Sequence, residues 1–391
     1  MSEQADVPST ERLAELATLF LKVGVTAFGG PAAHIAMMED EVVRRRGWMT
    51  REHFLDLLGA TNLIPGPNST EMAIHIGRQR AGWVGLMVAG ACFILPAGCI
   101  TLLLAWAYMS FGTRPQAGLL LYGVKPVIIA VVAQALWSLG RTAVKSVPLG
   151  VLALLAATIN ALGASELLVL VLAGLVAGAP PIISRVRGKL GFLPAAVPSS
   201  VLTGIPAFVA AKLPTAAAAP FTLAALFLLF LKVGSVLFGS GYVLLAFLRA
   251  DLVEHRHWLT NGQLLDAIAI GQVTPGPVFS TATFIGYILG GLGGAVVATV
   301  GIFLPSFLFV AMSGPLVPRL RRSPVAGGFL DGVNVGALAL MAVVAVTLAR
   351  DAIVDTRTAL LAAASAFLLI RARVNSAWLV LAGAGLGLVF Q

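Results

Sequence analysis

The eleven residues from Leu19 to Gly29, LFLKVGVTAFG, return from Leu229 to Gly239 as LFLKVGSVLFG, with eight positions identical. The same spacing of 210 aligns Trp48 with Trp258, Thr50 with Thr260, Asp56 with Asp266 and Pro65-Gly66-Pro67 with Pro275-Gly276-Pro277. A spacing of 209 then carries the register through Leu95-Pro96 and Leu304-Pro305, Gly123 and Gly332, and Arg141 and Arg350. Two homologous halves follow, one over 12–185 and one over 222–391, behind a polar stretch at 1–11 expected in the cytoplasm and joined by a Pro- and Ala-rich linker at 186–221. A duplicated chain must fold twice into one kind of unit and then fit the copies together.

Each unit is built from apolar runs long enough to cross a bilayer, about 20 residues at about 1.5 Å per residue. With 58% hydrophobic and 11% charged residues and a mean hydropathy of +0.94, the 391-residue chain is expected to be an all-α polytopic membrane protein. Its water-facing segments are too short to hide a soluble catalytic domain. The start, MSEQADVPSTER, lacks the basic end and apolar core of a cleavable signal peptide, so the first apolar segment is expected to direct insertion. The net charge of +9 fits cytoplasmic loops and anionic headgroups rather than nucleic acid. Cys92 and Cys99, seven apart in one apolar run, read as small buried side chains and not as a metal or redox pair.

The basic residues orient the halves. In the first, the dense break at Arg44, Arg45, Arg46 and Arg51 is followed by Arg114 alone, then Arg141 with Lys145, then Arg185, Arg187 and Lys189. In the second the phase reverses: Arg249 and Arg256 are sparse and Arg319, Arg321 and Arg322 dense. Arg350 and Arg357 are diluted by Asp351 and Asp355, and Arg371 and Arg373 follow. Orientation preference of this kind implies an inverted repeat, with Leu190 to Ala211 supplying the odd crossing between halves. Inverted repeats are a signature of secondary transporters, which hold substrate near the midplane where the repeats meet.

Within each half the helices are interrupted. Phe28-Gly29-Gly30-Pro31 ends one run, and Phe238-Gly239-Ser240-Gly241 ends its counterpart. A basic belt follows within a dozen residues, too few for a helical crossing, so these segments are expected to be re-entrant broken helices. Glu52 to Arg80 reads the same way with Pro65, Gly66 and Pro67 at its tip, and Asn68, Ser69 and Thr70 are expected to cap the next helix. Pro275, Gly276, Pro277 and the hydroxyl of Ser280 match it in the second half. Helices that start at membrane depth point free N–H groups and a positive dipole end inward, which makes an anion site.

The candidate substrate-binding set is therefore Gly29, Gly30, Pro31 and His34, the stretch from Pro65 to Thr70, and Gly239, Ser240, Pro275, Gly276, Pro277 and Ser280. Lys22 and Lys232, equivalent cations within apolar runs, join it as residues able to attract an anion or to snorkel. His34, Glu71 and His75 are candidates for proton coupling. Lys125 faces Asn334 across the alignment, so the halves differ there, and Glu39, Asp40 and Glu41 read as a solvated interfacial cluster. No G-x-x-x-x-G-K-[ST] or H-E-x-x-H pattern occurs, so neither a cofactor nor enzymatic chemistry is expected. The glycines of Gly286 to Gly294 and of Gly383 to Gly387 suit close helix packing.

The F-G-G-P segment at Phe28 to Pro31, His34, Trp48, the P-G-P at 65 to 67 and their second-half counterparts resemble the chromate ion transporter family in its long, two-domain form. The resemblance covers nearly the whole chain. It implies export of chromate across the bacterial inner membrane, giving resistance, with sulfate as the structural analogue and membrane potential or protons as the drive. Expected partners are chromate or sulfate, the lipid bilayer and, as an oligomer, a homodimer. The chain departs from a perfect repeat where Gly30-Pro31 becomes Ser240-Gly241 and His34 becomes Leu244, so a site built there is asymmetric.

Overall fold

The computed structural model describes residues 9–28, 30–112, 115–190, 220–238, 243–321, 323–372 and 374–389. Among them are fourteen α-helices and no strand, the architecture of an all-α membrane protein. The first half holds α1 (Ser9–Thr26), α2 (Pro31–Glu39), α3 (Arg51–Thr61), α4 (Asn68–Phe111), α5 (Pro115–Ala143), α6 (Val147–Ala161) and α7 (Glu166–Leu190). The second holds α8 (Leu223–Val236), α9 (Leu244–Leu248), α10 (Asn261–Val273), α11 (Thr281–Arg321), α12 (Pro324–Ala352), α13 (Thr356–Arg371) and α14 (Ser376–Val389). Helices α2 and α9 run on as π-helical turns, Asp40–Arg45 and Arg249–His255. Residues 191–211, the expected odd crossing, lie outside the described residues, as do Gly29, Gly239 and Ser240.

A straight α4 of 44 residues would measure about 66 Å, roughly twice the hydrocarbon thickness. It folds back instead. Ala81 and Gly82 leave helical geometry, and Gly82 at φ +62° takes a conformation that costs a side-chain-bearing residue strain. Gly77 then lies directly on the backbone of Gly85, eight residues on, which only a hairpin allows. The second half repeats the device in α11, with Gly290 and Gly291 at the bend and Gly286 on Gly294. Those glycines therefore serve close packing, and they also turn the chain. A short arm at 68–80 and a long arm at 83–111 result, and by length only the long arm can cross the hydrocarbon as a single helix.

The interrupted segments form two more hairpins per half. Lys22 Nζ reaches Glu41 Oε1 at 2.7 Å, and Lys232 reaches Asp251 at 2.9 Å, which folds α1 against α2 and α8 against α9. His53 Nε2–H donates to Gln79 Oε1 at 2.7 Å and closes α3 on the short arm of α4. Landmarks shared by the halves hold these hairpins in place. Thr50 and Thr260 each cap the following helix by accepting from the backbone N–H of His53 and Gln263. Arg46 and Arg256 stack over Trp48 and Trp258 at 5.2 and 4.8 Å. Gly24 seats α1 on the Phe93 carbonyl of α4, and Gly234 seats α8 on the Ile302 carbonyl of α11.

The halves then exchange partners. Helices α13 and α14 pack on α5, and α6 and α7 pack on α12. Tyr122 on α5 donates to Asp355 at the start of α13, while Lys145 pairs with Asp331 on α12 at 2.7 Å. Side chains left outside this packing are large and apolar, among them Trp83, Leu103, Trp106, Leu308, Phe367 and Trp378, a surface suited to lipid. Cys99 belongs to that outer surface and Cys92 is half-buried, so the expectation of two buried thiols holds for neither; both are free.

Candidate functional site

The breaks of one half are tied to the breaks of the other by a reciprocal pair of backbone hydrogen bonds. Gly66 N–H donates to Leu237 O at 2.7 Å, and Gly276 N–H donates to Ala27 O at 3.0 Å. Since Gly66 aligns with Gly276 and Ala27 with Leu237, each Pro-Gly-Pro docks on the end of the other half's first helix. Four helix interruptions are thereby joined in two pairs, each with one member from either half. The contact is self-complementary, as contacts across a two-fold relation are. Both glycines have positive φ, +139° and +89°, and neither has room for a methyl group. A Cβ on Gly276 would sit 2.9 Å from Ala97 Cβ and 3.0 Å from Gly24 O.

The side chains around this shared backbone differ between the halves. At the first break Ser69, Thr70 and Glu71 are buried on the opening turn of α4, and neither Glu71 oxygen has a hydrogen-bond partner. A Cβ on Gly66 would collide with Glu71 Oε1 and stand 2.8 Å from Ser306 Oγ, so carboxyl and hydroxyl face one small space. Ser306 Oγ and Thr70 Oγ1 are also unpartnered. At the second break Thr101 Oγ1 donates to Ser280 Oγ at 3.3 Å and Thr281 Oγ1 to Val278 O at 2.8 Å. No ionisable residue occurs from Val278 to Gly286.

His34 braces the first break. Its Nε2–H donates to Ala27 O at 3.1 Å, the carbonyl that also takes Gly276 N–H, and its ring meets Phe93 edge-on at 5.5 Å. That bond fixes the tautomer and leaves Nδ1 a buried, unpartnered acceptor. His75, one turn beyond Glu71, is buried with Nε2 unpartnered. Gly30 is the N-cap of α2 with Pro31 at its first position, and no side chain caps that helix.

Three expectations need correcting. Asn68, Ser69 and Thr70 do not cap α4: Pro67 occupies the N-cap position, no side chain caps that end, and the Asn68 amide donates to Asn62 Oδ1 at 2.6 Å instead. A capping oxygen must stand just before the helix, and these three lie inside it. Glu41 is not solvated. It is buried and bonded to Lys22 and Arg46, and the Lys22 ammonium holds its carboxyl below the usual carboxylate range. Lys22 and Lys232 accordingly spend their charge on Glu41 and Asp251, with half-exposed side chains, and neither reaches the breaks as a free cation.

Two features escaped the reading of the sequence. Ser306 is one, although it replaces Ala97 immediately after the repeated Leu-Pro. The other is Asp266 on α10, buried between Tyr108, which donates to it at 2.9 Å, and Lys125 at 3.5 Å. Its counterpart Asp56 is exposed, and the difference between Lys125 and Asn334 was its only trace. Away from the breaks, Arg12, Trp48, Thr50, His53, Gln79 and Arg80 line a recess of about 410 Å³ at the far end of the α3–α4 hairpin.

Such interruptions, doubled at matching places, find their match in one group of proteins: residues 14–179 and again 224–388 fit the description "Chromate transporter". The chain belongs to the chromate transporter family. Among its relatives, the chromate transport protein of Cupriavidus metallidurans is 33% identical over 97% of this chain and 94% of its own length. The chromate transport protein of Pseudomonas aeruginosa is 32% identical over 88% of this chain and 83% of its own. No solved structure matches the chain. Relatives of this chromate transporter family member are named as transport proteins, which argues against an enzyme.

Proposed function

We propose that the protein is a secondary transporter moving chromate, a tetrahedral divalent oxyanion, out across the bacterial inner membrane and so conferring chromate resistance. The halves at 12–185 and 222–391 act as an inverted repeat, with the polar N terminus at 1–11 in the cytoplasm and the 186–221 linker supplying the odd crossing. The observation that carries this reading is the reciprocal pair Gly66–Leu237 and Gly276–Ala27, which joins each Pro-Gly-Pro to a helix interruption of the other half. Helix starts at the breaks offer backbone N–H groups and positive dipole ends to an anion without a fixed cation. Backbone from Gly30 to Pro31, Pro65 to Thr70 and Pro275 to Ser280 lines the site, and Lys22 and Lys232 stabilise the hairpins that present it.

Vesicles of known orientation loaded with unlabelled chromate test the reading by counterflow of labelled chromate, with sulfate as competitor. Saturable counterflow is expected. Currents that never saturate would make the protein an anion channel, and counterflow of sulfate alone would make sulfate the substrate. Orientation is tested with single cysteines at 44–51 and 319–322 in a background lacking Cys92 and Cys99: both sets should resist an impermeant reagent from outside, and ready labelling of both would overturn the inverted arrangement.

A further inference from the structure

The first break holds a group that anion binding alone does not require. Glu71 is fully buried, neither of its oxygens has a partner, and it lies on the turn whose N–H groups face the break. The charges on neighbouring elements are committed elsewhere. Lys22 on α1 pairs with Glu41, and Arg78 donates to the Val310 and Ala311 carbonyls of α11. Arg80 pairs with Glu15, and on α3 His53 bonds to Gln79 while Asp56 is exposed. On α2, His34 bonds to Ala27 O, and on α10 Asp266 pairs with Lys125. His75, one turn along α4, is the other titratable group on that face, and its Nε2 is unpartnered. From α11 comes the hydroxyl of Ser306.

We infer that Glu71 couples the oxyanion to a proton: the anion binds at the start of α4 while the Glu71 carboxyl is protonated, one proton is taken up per anion bound, and both cross in the same direction. The inference rests on the anion site proposed above. An ionised carboxylate and a dianion in one water-poor space repel each other, and both compete for the same N–H groups. Protonated, the same carboxyl is an O–H donor, to the anion or to Ser306 Oγ. The proton comes from solvent on the side where the anion binds and returns to solvent when the anion leaves, so no bond other than O–H forms or breaks. The second break has no ionisable residue between Val278 and Gly286, so it adds no proton to the one assigned to Glu71.

The test uses the purified full chain in detergent, lightly buffered at mildly alkaline pH, with chromate as the probe and both binding and bulk pH recorded. Wild type should take up one proton per chromate bound, and its affinity should fall by up to about tenfold per pH unit as pH rises. Glu71→Gln should bind with no proton uptake and an affinity flat in pH, and Glu71→Asp should restore uptake. Chromate binding by wild type without proton uptake overturns the inference and leaves the anion site standing, as does uptake unchanged in Glu71→Gln. If wild type binds no chromate at all, both fall. Should Glu71→Gln fail to fold, the proton count and pH dependence of wild type still decide.

Discussion

At the break around Pro275-Gly276-Pro277 the hydroxyls of Thr274, Ser280 and Thr281 all have partners within the protein, whereas around Pro65-Gly66-Pro67 Thr70, Glu71 and Ser306 keep buried oxygens with none. The two breaks nevertheless dock alike, each glycine donating to the equivalent carbonyl of the other half. Duplication thus preserved the frame, in which glycine and proline positions are fixed by steric contact, and let the side chains diverge. Buried polar atoms without partners are costly. The proposed anion and proton would give them partners at the first break, whereas the second break is sealed from within.

The strongest challenge to that comparison is to straighten either break. Replacing Pro65-Gly66-Pro67 by three alanines favours a continuous helix, since proline and glycine are disfavoured there by about 3 and 1 kcal/mol. Chromate counterflow should become undetectable, and the same change at Pro275-Gly276-Pro277 should do likewise because the frame is shared. Full transport by either triple-alanine protein at normal membrane abundance would reduce the triplets to packing.

Changes to chemistry should separate the halves. Glu71→Gln should lower pH-gradient-driven chromate accumulation on the order of tenfold or more, as expected when a proton-transferring group is lost. Thr281→Val at the sealed break should stay within about threefold, a methyl replacing a hydroxyl that only bonds its own turn. Equal losses in the two variants would mean that the asymmetry of the side chains has no bearing on transport.

The paired lysines should again behave alike. Lys22→Gln and Lys232→Gln each leave a buried carboxylate without its ammonium and should lower stability by about 1–2 kcal/mol, read as melting temperature, with the half-saturation concentration unchanged. Glu41 adds a pH signature. Its folded-state pKa is depressed by Lys22, so its contribution is present above the ordinary carboxylate range and lost as pH falls through the depressed value. Lys22→Gln should flatten that acid limb. Smallest of all, Thr50→Ala and Thr260→Ala should cost about 1 kcal/mol each from capping alone.

Much of this frame was legible in the sequence because proline and glycine act where they stand. The Pro-Gly-Pro interruptions, the hairpin of Glu52 to Arg80 and the close packing of Gly286 on Gly294 need no knowledge of distant residues. Lys22 with Glu41 was not legible, since 19 residues separate the partners until the hairpin brings them together. Ser306 beside Glu71, and Asp266 between Tyr108 and Lys125, depend on contacts between halves that no local pattern encodes. The misplaced cap at Asn68 came from a helix that starts one residue earlier than a capping residue there would need.

The position of a bound oxyanion tests the central claim most directly. Anomalous scattering from selenate, a tetrahedral dianion, in crystals of the full chain should give one peak within hydrogen-bonding distance of the backbone at Asn68 and Ser69, beside Gly66 and facing the break at Gly276. A peak confined to the recess of Arg12, His53 and Arg80, with the breaks empty, would contradict it.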